Sequence, residues 1–424
     1  MKKIILLLLV SSSVWAQQSS RKYSIDDFTL IEKIEDQEKK YTELIKAPAA
    51  KLAPTAINDF NAELAYLWLA KGNVERYSYY HAKKPKYSYK QALYLGYALE
   101  KLFDEKKDYT NAEKISAALL KELKGTPAED GIRFSVLYEI NAAANARLGN
   151  IELAKKMMAK SAADKSSENR SIKYFKDMKS NYLNRQAIVQ LAAGEPQKAF
   201  DLLKVAFKDA ESNAYMIDTF KEAFKKVKGT ENGFEEELKS LKNEAYQKYY
   251  KEVEKSYIDS AKQTLDGTFP DSQDRTRKLI SFRATKPLSQ VKMIDLDGKK
   301  IDLSDQQGKI VVLDFWTTLC TPCVAAFAGF EKVVEDYKKD EFQLYVVNVF
   351  EEGQTVKAFA VQKPIKMQVL RDQENNMYDV RATPTKIVFD AKGNIRFFAS
   401  GYAGSTDREY YKLKAMVEII KARS

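Results

Sequence analysis

Apolar residues recur at intervals of three and four positions from Tyr23 to about Leu265. Stretches such as SIDDFTLIEKIEDQEKKYTELI and NAYMIDTFKEAFKKV show this spacing, which is typical of amphipathic helices. No run of alternating β-branched residues interrupts the pattern. Prolines stand at the joints between the stretches, at Pro48, Pro54, Pro85, Pro127 and Pro196. The pattern predicts an all-α domain over residues 17–265.

Four stretches of this region share the form helix, tight turn, helix: AYLWLAKGNVERYSYY, EKLFDEKKDYTNAEKIS, ANARLGNIELAKKMM and VQLAAGEPQKAFDLL. The turn positions are Gly72, Lys107, Gly149 and Gly194, and five residues later stand Tyr77, Ala112, Ala154 and Ala199. A small residue at the later position lets two helices approach closely. The arrangement resembles the tetratricopeptide repeat, although the units are 35, 42 and 45 residues apart, against a family period of about 34. An unrelated helical bundle is the alternative.

The pattern changes after residue 265. Gly267, Pro270 and a polar run interrupt the helices, which predicts a linker over residues 266–285. Beyond it, β-branched and aromatic runs predict strands in QVKMIDLDG, KIVVLDFW, QLYVVNVF, TKIVFDAKG and IRFFASGY. Helical patterns at 324–337, 354–362 and 408–421 alternate with these strands. The alternation predicts an α/β domain over residues 286–424, with IVVLDFW as a central strand covered on both faces.

The first residues, MKKIILLLLVSSSVWAQ, resemble a secretory signal peptide. Two lysines precede a short apolar run, and Val14-Trp15-Ala16 forms a cleavage site of small-residue type. We therefore predict a signal peptide at residues 1–16 and an exported protein, in the periplasm. No later segment has the roughly 18 uninterrupted apolar residues of a membrane span, so stable membrane insertion is not expected.

The formal net charge of +11 does not indicate nucleic-acid binding. The basic excess consists of dispersed lysines mixed with glutamates, with no arginine-rich run and no nucleic-acid motif. A solvated lysine-rich surface explains it. We expect no nucleic-acid partner.

Only two cysteines occur in 424 residues, three positions apart in VVLDFWTTLCTPC. Cys320 would begin the helix that follows the strand, where the helix dipole stabilises a thiolate and lowers the pKa of the thiol. Such a thiolate attacks a disulfide, and Cys323 resolves the product. A zinc site needs four ligands, and this chain has no third cysteine and one histidine, His81. A structural disulfide with so short a loop gains little stability, and two inert buried thiols remain an alternative.

Residues 286–424 resemble the thioredoxin superfamily in its extracytoplasmic TlpA/ResA-like branch. The matching stretches are DLDGKKIDLSDQQGKIVVLDFWTTLCTPC, LYVVNVFEE, YDVRATPTKIVFDAKGNI and the glycine of ASGY. The resemblance implies a mixed sheet flanked by helices, with the dithiol at the start of a helix. It also implies that Pro384 is cis beside the dithiol, with Thr383 free to pair with an extended client segment.

Two carboxylates and an aromatic residue also match the family. Asp314 stands where thioredoxins keep a buried aspartate behind the dithiol, and it would accept a proton from the resolving thiol. Glu351 falls on the active-site glutamate of the ResA-like branch, and Glu352 takes that part if the register slips by one. Trp316 matches the aromatic that shields the sulfurs, and we group it with Thr383 and Pro384 as substrate-binding. Plain alternatives are a solvent-facing aspartate, a solvated glutamate pair and a core tryptophan.

Leu319, Ala326 and Ala328 depart from the family. Leu319 stands where relatives usually have a second tryptophan, and the two alanines replace a glutamate and a kinking proline. The surface around Cys320 is therefore more apolar, so the client preference of relatives does not carry over.

The sequence thus predicts an exported thiol–disulfide oxidoreductase with a helical N-terminal domain. Cys320 attacks, Cys323 resolves, and Asp314 with Glu351 manages protons. Partners are client proteins with cysteines or disulfides and an upstream thiol electron donor, and no metal or organic cofactor is needed. The family points to a reductant, with cytochrome c precursors among its clients. The alternative is an interaction scaffold whose thioredoxin-like part only docks other proteins.

Overall fold

The computed structural model describes residues 22–424 apart from 47, 49, 50, 165–174, 272 and 275. The predicted signal peptide at residues 1–16 lies outside the described residues. The chain divides into two compact units, residues up to 102 with 123–132, and residues 103–122 with 133–424. This division differs from the predicted boundary at residue 265, because most of the later helices belong to the same unit as the α/β domain.

The first unit is mainly helical over its described residues, with a single parallel β-bridge between Tyr23 and Leu52. It contains α1 (Ile25–Thr29), α2 (Ile34–Leu44), α3 (Ala56–Ala70), α4 (Val74–His81), most of α5 (Tyr89–Asp104) and, after α6, the short α7 (Ala128–Ile132). The rings of Phe28 and Phe60 stack at 4.4 Å in its core.

The second unit begins with α6 (Tyr109–Glu122) and continues after α7 with six further helices. These are α8 (Phe134–Arg147), α9 (Ile151–Ala163), α10 (Met178–Ala192), α11 (Pro196–Lys208), α12 (Met216–Lys228) and α13 (Phe234–Glu254). We call α6 and α8–α13, together with the described residues that join α8 to α13, the helical layer.

The predicted helical turns are present in both units. The four turn residues, Gly72, Lys107, Gly149 and Gly194, have φ of 81°, 54°, 86° and 76°. These angles are left-handed, and glycine adopts them at little cost. Each turn joins two helices at the expected place, so helix, turn and helix are confirmed in all four stretches. A tetratricopeptide array stays a prediction.

The predicted linker is instead a β-hairpin. Strands β1 (Leu265–Pro270) and β2 (Lys278–Ala284) pair antiparallel, and Phe282 and Ala284 are buried in the core of the α/β domain. A Cβ on Gly267 would lie 1.9 Å from the ring of Phe282. The glycine that suggested a break therefore makes room for a core side chain.

The α/β domain is built on a seven-stranded mixed sheet in the order β4-β3-β7-β6-β5-β8-β9. Its strands are β3 (Lys292–Asp295), β4 (Lys300–Asp302), β5 (Ile310–Trp316), β6 (Phe342–Val349), β7 (Gln368–Asp372), β8 (Thr385–Phe389) and β9 (Ile395–Ser400). Helices α14 (Thr321–Asp336), α15 (Gly353–Gln362) and α16 (Thr406–Arg423) complete it. Strands β5, β6 and β7 are parallel, and β8 runs antiparallel to β5. The predicted all-α and α/β classes are confirmed.

Central strand β5 is buried on both faces. Val312 and Trp316 pack in one core cluster with residues of α14 and α16, whereas Val311, Leu313 and Phe315 pack in a second cluster on the other face. Because side chains alternate along a strand, Asp314 shares the face of Val312 and Trp316. Asp314 thus lies on the side of the sheet that packs against the cysteine-bearing helix.

The helical layer covers part of α16. Tyr249 of α13 and Tyr411 of α16 share a small core cluster, and Arg423 pairs with Glu254 at 3.1 Å. Among the described residues, no helix combines the length and the apolar character needed to cross a bilayer.

Candidate active site

The two cysteines are joined in a disulfide at the start of α14. Their Cα atoms lie 5.3 Å apart, and Cys320 is the residue that caps the helix N-terminus. Cys320 is partly exposed, whereas Cys323 is fully buried at 0% exposure. Of the two cysteines, only Cys320 is thus accessible to an incoming molecule. After reduction, the unpaired N–H groups of the first helical turn would stabilise a thiolate there.

Glu351 fixes the loop that leads to Cys320. One of its carboxylate oxygens accepts hydrogen bonds from the Thr318 amide at 2.7 Å and from Asn348 Nδ2 at 2.6 Å, and the other accepts from the Thr318 hydroxyl at 2.5 Å. Glu352 instead accepts from Gln373 at 2.8 Å and is exposed. The alternative register is therefore wrong in this structure, because Glu351 is the glutamate that faces the dithiol loop.

We expect Glu351→Ala to lower the free energy of unfolding by about 1–3 kcal/mol, because Thr318 is buried and its amide loses its acceptor. Glu352→Ala removes one exposed hydrogen bond and should cost less than about 0.5 kcal/mol. Urea unfolding of the two variants measures the difference. Equal costs would show that the contact with Thr318 does not hold the loop.

Asp314 is completely buried, at 0% exposure, and neither of its carboxylate oxygens has a hydrogen-bond partner. Burial raises its pKa to about 7, although the Lys386 ammonium group 3.9 Å away opposes the rise. A carboxyl group with this pKa exchanges protons near neutral pH, as a proton acceptor for a thiol must.

Two further charged residues stand behind the dithiol, and no sequence motif predicted either of them. Lys386 of β8 and Glu409 of α16 are buried and form an ion pair at 2.7 Å. The pKa of Lys386 is raised because Glu409 and Asp314 outweigh the effect of its burial. The available signal was Lys386 itself, since TKIVF places one charged residue in an otherwise uncharged buried strand.

Trp316 is fully buried at 0% exposure, with its ring 5.3 Å from Phe327 and 5.5 Å from Phe359. It shares its core cluster with Cys323, and Cys320 packs against that cluster. A side chain without exposed surface cannot touch a client. Its place among the substrate-binding residues is therefore wrong in this structure, and Trp316 supports the dithiol from within the core.

Thr383 and Pro384 lie at the same end of the sheet as the dithiol loop. The peptide bond between them is cis, and β8 begins at the next residue. Thr385 pairs with Phe315 near the end of β5, and the Pro384 carbonyl accepts a hydrogen bond from the Gly401 amide at 2.9 Å. Thr383 is partly exposed and Pro384 is buried. Of the two, Thr383 is the one open to a client.

Two exposed apolar side chains directly precede site residues along the chain. Leu319 precedes Cys320 and is 71% exposed, and Phe350 precedes Glu351 and is 58% exposed with φ of 69°. A bulky residue with a left-handed φ is uncommon. The exposed apolar side chain expected at Leu319 is present, and Phe350 is a second one that no sequence motif indicated.

The α/β domain matches the family model of the AhpC/TSA family over residues 282–398. Among curated proteins, it is similar to the thiol-disulfide oxidoreductase ResA of Halalkalibacterium halodurans, with 31% identity over 130 residues, which are 30% of this chain and 71% of that protein. ResA of Geobacillus kaustophilus is 31% identical over 120 residues, covering 28% of this chain and 69% of that protein.

Among solved structures, the chain is similar to a secreted disulfide oxidoreductase of Mycobacterium tuberculosis described as homologous to DsbE of E. coli. The identity is 20% and the TM-score 0.27, over 31% of this chain and 96% of that one. The ResA similarity spans more than two thirds of those relatives, and the region that matches the AhpC/TSA family model, residues 282–398, includes the cysteine pair. On this similarity the chain belongs to the ResA family of thiol–disulfide oxidoreductases.

Proposed function

We propose that the protein exchanges its Cys320–Cys323 pair with cysteines of client proteins and works as a reductant outside the cytoplasm. The observation that carries this proposal is the unequal exposure of the two cysteine residues. Cys320 is partly exposed at a helix N-terminus, and Cys323 is buried behind it. This arrangement suits one sulfur for attack on an external disulfide and the other for resolution.

The exchange transfers two electrons from the enzyme dithiol to a client disulfide. The Cys320 thiolate of the reduced enzyme attacks one sulfur of a client disulfide, and the other client sulfur leaves as a thiolate. Cys323 then attacks Cys320 in the mixed disulfide, so that the second client sulfur is released. The client disulfide gains two electrons, and the enzyme is left with its Cys320–Cys323 disulfide. An upstream thiol donor must restore the dithiol.

Asp314 and Thr383 have distinct parts in this proposal. Asp314 accepts the proton of the Cys323 thiol, since its pKa of about 7 suits it to proton transfer at neutral pH. Glu351 holds the loop before Cys320 in place. Thr383, next to the buried Pro384, offers its backbone to an extended client segment.

Location and client class rest on the sequence. The signal-like residues 1–16 support export to the periplasm, where disulfides persist. The resemblance to TlpA/ResA-like proteins supports a reductant and makes cytochrome c precursors candidate clients. The dithiol chemistry itself needs no metal or organic cofactor.

Trapping with Cys323→Ser tests the proposal. Without the resolving sulfur, the mixed disulfide between Cys320 and the client should accumulate, and mass spectrometry of the adduct should name the client. The Cys320→Ser/Cys323→Ser double variant is the matched control and should trap nothing. Adducts of equal yield from both proteins, or none from the single variant in the reduced state, would contradict client exchange through Cys320.

A further inference from the structure

The ion pair behind the dithiol is asymmetric. Lys386 faces two carboxylates. Its Nζ atom lies 2.7 Å from Oε1 of Glu409 but 3.9 Å from Oδ1 of Asp314. All three side chains are buried. One ammonium group therefore lies near two buried carboxylates. It interacts more strongly with the closer one, Glu409, and so stabilises the charged form of Asp314 less.

Few other charges surround Asp314. On β5 it pairs in register with Val346 of β6 and with Lys386 of β8. Among the described residues, the charged groups that act on it are Lys386 and Glu409 of α16. Helix α14, which packs on the same face of the sheet, contributes Cys323 to the neighbouring core. The protonation of Asp314 thus depends on how closely the Lys386 ammonium group approaches each of the two carboxylates.

Glu409 cannot easily leave its position. A Cβ on Gly329 of α14 would lie 2.7 Å from the Cβ of Glu409, so the two helices touch at this point. The second carboxylate oxygen of Glu409 accepts a hydrogen bond from the Ala403 amide at 2.9 Å. Lys386 is held from another side by the ring of Phe330, 4.8 Å from its ammonium nitrogen.

The helical layer fixes the first turn of α16, where Glu409 lies. Asp177, which directly precedes α10, accepts hydrogen bonds from the amide and the hydroxyl of Thr406, both at 2.6 Å. Ser212 donates to Asp407 at 2.7 Å. Asp177 is itself buried, so these are interior contacts.

We infer that Glu409 is a positioning residue of the redox site, which competes with Asp314 for Lys386, and that Asp177 of the helical layer holds Glu409 in place. The inference rests on the proposed role of Asp314 as proton acceptor. On this inference, contacts from the helical layer help to set the pH at which the Asp314 carboxyl group loses its proton.

The sign of each effect follows from the geometry. Loss of the Glu409 charge removes a repulsion between the two carboxylates and leaves the Lys386 ammonium group to interact with Asp314. The pKa of Asp314 should therefore fall, so that Asp314 stays charged at lower pH. Loss of Lys386 should do the opposite. A purely structural pair would not give shifts of opposite direction.

The test follows the carboxyl carbon of Asp314 by NMR in the full-length oxidised protein, labelled with carbon-13 aspartate. The signal is identified by its absence in Asp314→Asn. In Glu409→Gln the titration midpoint should fall by about one pH unit or more, and in Lys386→Met it should rise by a similar amount. The Lys386→Met/Glu409→Gln double variant, which leaves no lone charge from the pair, should titrate above the wild type and below Lys386→Met.

The helical layer is tested in the same titration. Asp177→Ala should lower the midpoint by less than Glu409→Gln does, and Asp177→Asn should restore it, because an amide oxygen still accepts from Thr406. Lys332→Met is the control, since Lys332 pairs with Asp407 on the same helical turn and does not act on Asp314. It should leave the midpoint unchanged.

An unchanged or raised midpoint in Glu409→Gln overturns the inference. A fall in that variant with no change in a folded Asp177→Ala overturns the part assigned to the helical layer. If Asp177→Ala does not fold, the Glu409→Gln and Lys386→Met shifts still decide the competition. No client takes part in the measurement, so its failure is separate from failure of the proposed exchange reaction.

Discussion

Replacing Cys320 with serine is expected to reduce disulfide exchange to the background rate. Cys320 is the partly exposed cysteine at the start of α14, and a serine hydroxyl cannot form the mixed disulfide through which exchange proceeds. Reduction of insulin by dithiothreitol, followed by turbidity, measures the effect. The variant should perform no better than dithiothreitol alone.

The control for this variant is its stability. The disulfide closes a loop between residues only three positions apart, so its loss should change the free energy of unfolding little. A folded Cys320→Ser protein without activity therefore locates the chemistry. Activity equal to that of the wild type would favour the interaction scaffold over exchange at the dithiol.

Asp314→Asn is expected to stabilise the protein above pH 7 and to change little below pH 4. Burial raises the pKa of Asp314 from 3.8 to about 7, so between these values the folded state keeps a proton that the unfolded chain has lost. Stability of the wild type therefore falls as pH rises through this range. The variant has no such loss, and its advantage should reach roughly 4 kcal/mol. Urea unfolding at pH 4, 6 and 8 measures it.

Asp390→Asn is a matched control with the opposite sign. Burial alone would raise the pKa of Asp390, but hydrogen bonds from Asn394 and Arg396 outweigh it and lower the pKa. Its charge therefore stabilises the fold above the unfolded pKa, and this stabilisation is lost as pH falls through the folded pKa. Asp390→Asn should destabilise at pH 8 and less at acid pH. The same trend for both variants would contradict the burial argument for Asp314.

The sequence predicted the strands that carry long β-branched runs, such as β5 and β6, because these runs are buried on both faces. It missed β7, since QVLRD is short and ends in charged residues, and its place between β3 and β6 depends on pairing with distant segments. The hairpin of β1 and β2 was missed for a different reason. Its glycine and proline indicate a break when the buried partner Phe282 is not known.

Part of the candidate site was accessible from the sequence. The cysteine spacing and the family motif identified Cys320, Cys323 and Asp314, and the structure brings them to one end of β5 and the adjoining helix. Glu409 lies almost a hundred residues beyond Asp314, and only the packing of α16 on α14 brings them together. Trp316 was misplaced because its position beside the motif does not reveal which way it faces.

The hairpin and the contacts on α16 determine how the molecule can be divided. Tyr249 and Val253 of α13 pack on the α/β domain, and the chain passes between its two compact units at residues 102–103, 122–123 and 132–133. A fragment that starts at residue 286 would lose both Phe282 and the cover of α16, and would leave apolar surface in water. Catalytic fragments for biochemical work should therefore retain the helical layer, because the compact unit that contains the dithiol extends well beyond the recognisable sequence motif.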